Sequence, residues 1–270
     1  MKSQVFDKAG NKAGETELPA VFSTPYRPDV IRRAVLVQQS NARQRYGSDP
    51  LAGKRTSAHY HGSRHYRFSM MNKETSRMPR IHGKSAGMYA MRARFAPHAV
   101  KGRRAHPPKA EKIWARGINE KEKRLAIKSA LAAGARLEIV MQRGHKSDFA
   151  PIIVTDDFEN LAKTKDVLAL LAKIIPKELE RCSKKKVRAG KGKARGRKYR
   201  RKTGPLVIAG ANCKVLKAAR NIQGVDAVSA TNINAELLAP GTEAGRMLII
   251  TKSGLKKLDE RFSETFQTEN

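Results

Sequence analysis

Residues 43–112 contain only three branched aliphatic side chains, Leu51, Ile81 and Val100. Ordering a chain costs about 1–2 kcal/mol of conformational entropy per residue, and burial of apolar area is the main offset. Three such side chains supply only about a few kcal/mol, so this stretch cannot build a core of its own. Its six Gly and five Pro also interrupt regular elements. Loops longer than roughly 12–15 residues without structure are uncommon in compact domains. The segment is therefore either a disordered arm or one ordered by a partner.

Charge identifies the kind of partner. The chain carries 56 Lys plus Arg against 24 Asp plus Glu, a net +32, and the excess is zoned. Residues 43–112 hold 17 basic side chains and 3 acids, and residues 181–202 hold 13 basic side chains and no acid. The remainder is nearly balanced, with 26 basic and 21 acidic groups. A field of this kind attracts polyanions, in practice nucleic acids or anionic membranes. No apolar run approaches the roughly 18 residues that span a bilayer. Nor does an apolar stretch follow Lys2, so the start does not read as a secretory signal. A DNA- or membrane-binding protein would carry its charge on a recognition helix or an amphipathic helix, and neither basic zone has helical spacing.

Composition favours RNA. Six of the seven His lie in the first zone: His59, His61, His65, His82, His98 and His106. Tyr46, Tyr60, Tyr66, Phe68, Tyr89 and Phe95 are threaded among its cations, with Met70, Met71, Met78, Met88 and Met91. Basic groups neutralise phosphate, aromatic and imidazole rings stack on unpaired bases, and Gly allows close backbone approach. The candidate cations there are Arg43, Arg45, Lys54, Arg55, Arg64, Arg67, Arg77, Arg80, Lys84, Arg92, Arg94, Lys101, Arg103, Arg104, Lys109 and Lys112, and Trp114 follows. Trp114 reads either as an anchor against the domain or as a stacking partner for a base. The second zone reads as a phosphate clamp through Lys184, Lys185, Lys186, Arg188, Lys191, Lys193, Arg195, Arg197, Lys198, Arg200 and Arg201.

The flanking sequence, 1–42 joined to 113–270, reads as one α/β domain with a mainly parallel sheet between helices. Short apolar runs at 151–155, 204–210, 225–230 and 247–251 have the look of buried strands. Residues 2–7 and 137–141 are further strand candidates. Helices are expected over 28–42 (with Pro28 in its first turn), 119–133, 157–174, 212–221 and 234–238, and a last one capped by Ser253.

Doubly wound sheets often bind nucleotides, so an enzyme is the natural rival. Gly190, Gly192 and Gly196 follow no strand and lack dinucleotide spacing, while Gly204 and Gly210 bracket a strand in packing or turn roles. Gly241–Gly245 resembles a phosphate loop only in glycine content, and Gly83-Lys-Ser85 has no strand before it. There is no Gly-x-Ser-x-Gly elbow. Asp156, Asp157 and Glu159 read as charges at a helix N-terminus. Cys182 and Cys213 have neither metal-ligand nor redox spacing, and read as reduced thiols. His59, His61 and His65 lack a nearby Cys or acid and read as RNA-contacting or solvated, so no metal, cofactor or small-molecule substrate is assigned.

Several motifs together carry a resemblance. Arg77-Met-Pro-Arg80, His82-Gly-Lys-Ser-Ala-Gly87, Met91-Arg-Ala-Arg-Phe-Ala-Pro97 and Val100-Lys-Gly-Arg-Arg-Ala-His-Pro-Pro108 run on to Lys112-Ile-Trp114. With Gly204-Pro-Leu-Val-Ile208 and the stretch from Thr231 to Gly241, the chain resembles the large-subunit ribosomal protein L-four family in its archaeal form. The resemblance implies an α/β domain on the subunit surface and a long loop threading 23S-type ribosomal RNA. The loop's tip would help line the nascent-peptide exit tunnel, here through Arg80, His82, Gly83, Lys84, Ser85, Met88 and Arg92. It also implies an early rRNA-binding role in assembly, a cytoplasmic ribosomal location, and neighbours from the L-twenty-two, L-twenty-four and L-eighteen-e families. Val100-Lys-Gly-Arg-Arg104 stands where bacterial members have a glycine-rich run, so drug contacts and operon repression are not carried over. The chain stops at Asn270, without the long extension of the eukaryotic form.

Overall fold

The computed structural model describes residues 1–263, apart from the side chain of Ser85. The chain divides into two units, Met1–Ala42 with the chain from Arg116 onward, and Arg43–Ala115. The first unit runs β1 (Lys2–Phe6), β2 (Lys12–Glu17), α1 (Pro28–Asn41), α2 (Glu120–Ala135), α3 (Leu137–Gln142), β3 (Ile152–Val154), α4 (Thr164–Ile174) and α5 (Pro176–Ser183). It continues with β4 (Lys186–Val187), β5 (Tyr199–Arg200), β6 (Leu206–Ala209), α6 (Lys214–Arg220), β7 (Asp226–Ser229), α7 (Ala235–Leu238), β8 (Leu248–Thr251) and α8 (Lys252–Ser263).

Six strands form one sheet in the order β2-β1-β3-β8-β6-β7, parallel except for the β1–β2 pair. Its register explains the three layers. Val5, Ile153, Ile250, Ile208 and Val228 are successive cross-strand partners. All five lie in one core, with Ile31, Ile127, Leu131, Leu238 and Leu258 from α1, α2, α7 and α8. One residue along each strand, side chains point to the other face. There Phe6, Val154, Ile249, Val207 and Ala227 pack with Val167, Leu171 and Leu216 from α4 and α6. Strands apolar on both faces are the sequence signature of a parallel sheet covered on both sides. The α/β/α domain is thus the expected one, and no helix among the described residues is long and apolar enough to cross a membrane.

Several local expectations are corrected. Residues 137–141 are helical, not a strand: Leu137–Gln142 starts from Arg136, whose carbonyl accepts the Val140 amide (3.2 Å). The helix expected over 157–174 is broken: Asp156–Asn160 is a 3-10 turn, Leu161 is extended, and α4 begins at Thr164. Ser253 lies inside α8, and the hydroxyl of Thr251 receives the Gly254 amide instead (3.0 Å). Strand β2 was not expected. Arg181–Ser183 belong to α5, and the rest of the second basic zone contains a two-stranded antiparallel hairpin pairing Lys186 with Arg200 and Val187 with Tyr199.

The Arg43–Ala115 unit contributes no residue to either core. Its one regular element is a 3-10 turn, Lys84–Tyr89. Isolated antiparallel bridges join His59 to Arg80 and Arg80 to Ala93. Its two limbs run side by side, with the Ser48 amide donating to Pro108 (3.1 Å). Gly53 has φ +73°, and a Cβ there would lie 2.7 Å from the Arg103 Cα, so the approach of the limbs requires glycine. Asn72, Met91, Phe95 and Lys101 also hold positive φ, between 56° and 61°.

Candidate nucleic-acid interface

The base of the Arg43–Ala115 unit is an aromatic clasp. Trp114 stacks on Tyr46 with ring centroids 6.1 Å apart and planes 11° from parallel. The Arg43 guanidinium lies 3.8 Å from the Trp114 centroid and the Lys112 ammonium 4.5 Å. Trp114 is therefore an anchor, but for the unit's own two limbs. Beside it, Tyr46, Arg104, His106, Pro107, Lys109 and Lys112 line an open groove of about 840 Å³. The pairing recurs along the segment: Arg67 over Phe68, Arg92 over Tyr89 and Arg103 over Phe95, at 5.2–5.8 Å. Rings backed by cations offer stacking faces and phosphate ligands together.

Most expected RNA contacts are exposed, among them Arg43, Arg45, Lys54, Arg64, Arg67, Arg77, Lys101, Arg104 and Lys109. Others are committed internally. Arg80 donates to the carbonyls of Met91 (2.8 Å) and Ser76 (3.2 Å), and Arg94 donates to Val100 (2.6 Å). Arg55 is paired with Asp49. At the expected tip, Lys84, Met88 and Arg92 face outward, while Arg80 and His82 are half-buried. The Ser85 side chain lies outside the described residues. His59 and His61 are gathered with His82, 21 positions from His61, and not with His65.

In the other unit the β4–β5 hairpin carries the second basic surface. Tyr199 is exposed between Lys185 and Lys198, each 5.6 Å from its ring. A groove of about 830 Å³ is lined by Arg143, Arg181, Lys184, Lys185, Lys186, Arg200, Arg201 and Lys202. Arg143, Arg181 and Lys202 were not among the expected contacts. Lys202 could have been, since it ends the basic run. Beneath the groove is a buried carboxylate: Glu178 accepts from His145 Nδ1 (2.7 Å), Arg181 Nε (2.9 Å) and the Lys146 amide (3.0 Å). Burial pushes this carboxyl up, but the bonds from His145, Arg181 and Lys146 outweigh it and hold the pKa at about 2. Arg181 also donates to the Thr203 carbonyl (2.7 Å), which fixes where the hairpin rejoins β6. The neighbouring Cys182 thiol is pushed up to about 11 by burial, which leaves it inert.

Residues 16–261 match the ribosomal protein L4/L1 family. The chain belongs to that family. It is 43% identical over 268 residues to the large ribosomal subunit protein uL4 of Methanosphaera stadtmanae, covering 97% of this chain and 98% of the relative. The uL4 proteins of Haloquadratum walsbyi and Nanoarchaeum equitans are 44% and 45% identical, each over 97% of this chain and 100% and 98% of their own.

In this L4/L1-family chain the crevice at the strand C-termini, where doubly wound sheets hold ligands, is filled by protein. Glu159 Oε1 accepts from the Gly210 amide (2.9 Å), the Thr251 hydroxyl (2.6 Å) and the Ser253 hydroxyl. Asp156 accepts from the Ser253 amide (2.7 Å). Asp156, Asp157 and Glu159 lie in the first turn of the Asp156–Asn160 3-10 helix, and Asp156 and Glu159 also tie the ends of β6 and β8 to the start of α8. A Cβ on Gly210 would lie 2.5 Å from Ser253 Oγ, so the network closes only around glycine. Burial raises the Glu159 carboxyl, yet the Ser253, Thr251 and Gly210 donors bring it below its ordinary value.

Proposed function

We propose that this chain is a structural constituent of the large ribosomal subunit, in the cytoplasm, and that it binds large-subunit rRNA through its two basic surfaces. As a ribosomal-protein family member it is a structural protein and not an enzyme. The observation that carries the RNA reading is where apolar surface is exposed. Of the fifteen large apolar side chains exposed among the described residues, eleven lie in Arg43–Ala115 or on the β4–β5 hairpin, the two zones with the greatest positive charge. Rings left in water beside cations suit unpaired bases and phosphates.

In this reading the α/β domain, from 1–42 and 113–270, is the mount, 43–112 is ordered by RNA, and the 181–202 insert clamps phosphate. The four left-handed non-glycine residues support an externally ordered segment, since each such conformation costs about 1–3 kcal/mol that no local core offsets. Lys84, Met88 and Arg92 are the outward-facing residues of the tip and line the peptide exit tunnel. Early binding to rRNA during assembly, and the L-twenty-two, L-twenty-four and L-eighteen-e neighbours, rest on the family resemblance. The test is binding to large-subunit rRNA across a salt series. Each neutralised phosphate contributes roughly −0.7 to −0.9 to the log–log slope. Changing Lys184, Lys185 and Lys186 together to Gln reduces the slope by about 2. A slope unchanged by that variant, or affinity indifferent to salt, refutes the clamp.

A further inference from the structure

His59, His61 and His82 bring one ring nitrogen each to within 4.8 Å of the others, and no role in RNA binding requires that convergence. Their rings are 4.2–4.5 Å apart, centroid to centroid. His59 and His61 are two positions apart on an extended stretch. The His59–Arg80 bridge, through the Arg80 amide and the His59 carbonyl (3.3 Å), brings His82 across from them. Arg80 holds that turn by donating to Met91 and Ser76. Tyr66 stacks at 5.4 Å on His61, and Phe68 lies 4.9 Å from His82.

The hydrogen bonds decide what the cluster lacks. His59 Nδ1 lies 3.0 Å from the Ser57 carbonyl, and His82 Nδ1 lies 3.0 Å from the Arg80 carbonyl. A carbonyl only accepts, so both Nδ1 atoms carry protons and the neutral rings keep their lone pairs on Nε2. His61 Nε2 lies 2.7 Å from His82 Nε2. The single proton that His61 brings to this contact satisfies one lone pair and leaves the other facing the cluster. Outer carbonyls that fix the tautomer of a ring are the usual supports of metal-ligating histidine.

The geometry points to a three-histidine site for a first-row dication, zinc in the first instance, formed by His59, His61 and His82. Zinc–nitrogen bonds of about 2.0–2.1 Å at tetrahedral angles set ligand nitrogens roughly 3.3 Å apart, so the His61–His82 contact opens slightly and the wider spacings close. Three neutral imidazoles leave a fourth position for a small oxygen donor. The pattern was hidden in the sequence because the third ligand lies 21 positions from the second, whereas His65, at the more suggestive spacing, is not in the cluster.

The test uses the full chain, freed of metal by dialysis, and Zn²⁺ titrated in competition with a chromophoric chelator, both alone and in complex with large-subunit rRNA. One Zn²⁺ per chain is expected. His82→Ala weakens it at least tenfold, and His65→Ala leaves it unchanged. Co²⁺ gives the visible d–d absorption of a four-coordinate site, which His59→Ala abolishes. None of these histidines belongs to either hydrophobic core, so the variants keep the folded domain, as circular dichroism verifies. Zinc binding that survives His82→Ala, or the lack of stoichiometric binding by both the free chain and its rRNA complex, overturns the site.

Discussion

Glu178→Gln tests the fold beneath the second basic surface. The Glu178 side chain is fully buried and its two oxygens accept from His145, Lys146 and Arg181. Glutamine keeps the volume but replaces one acceptor by an NH₂ that faces donors. Two routes give the magnitude. Breaking one partner of a buried ion pair costs about 3–5 kcal/mol. Separately, a carboxyl held at about 2 instead of its ordinary 4.5 is stabilised in the folded state, at about 1.4 kcal/mol per pKa unit, by about 3 kcal/mol. Urea denaturation at pH 7 therefore shows the variant about 3 kcal/mol less stable. Because the folded pKa is depressed, this difference is fully present above about pH 4.5 and disappears as pH falls through about 2. At pH 3 more than half of it is gone. A variant within about 0.5 kcal/mol of wild type at pH 7, or a deficit unchanged from pH 7 to pH 3, would refute the ion-pair account.

Gly210→Ala forces a Cβ against Ser253 and disturbs the Glu159 bonds, so it destabilises by about 1–3 kcal/mol, read as a lower urea midpoint at unchanged slope. Arg246→Met removes a buried guanidinium that donates to the Gly204 (2.8 Å) and Leu237 (2.8 Å) carbonyls, while its ion-pair partner Asp226 is half exposed and stays solvated; loss of the donor costs about 1–3 kcal/mol in the same assay. Limited proteolysis of RNA-free protein cuts within 43–112 and 184–202 first and leaves the α/β domain; equal protection of all regions contradicts ordering by RNA.

What the sequence disclosed, and what it hid, follows from the range of each signal. Strands β3, β6 and β8 are apolar on both faces, and that density survives without context. Strand β2, Lys-Ala-Gly-Glu-Thr-Glu, lies at the sheet edge with nearly every side chain exposed, so it has no hydrophobic period to read. Leu137–Met141 is too short for a period of two to be told from 3.6, and it lies in the helix Leu137–Gln142. The basic zones were legible because charge and missing aliphatics are sums over many residues. The Glu178, Glu159 and His82 constellations were not, because each joins residues from separate elements. Arg80 and Arg94 show the same limit in reverse: composition marks them as cations, and only the fold shows them bonded to carbonyls.

The Tyr46–Trp114 clasp has an evolutionary corollary. Where the segment leaves the α/β domain and returns to it, the Arg116 amide is bonded to the Asn41 side chain (2.8 Å), so the domain joins both ends at one place. Closing a flexible loop costs only about 0.6 kcal/mol more for each doubling of its length. Insertions or deletions between the two clasped limbs are therefore nearly neutral for the stability of the domain. The reach of the segment is free to follow the depth of whatever it enters, while the domain that carries it stays the same.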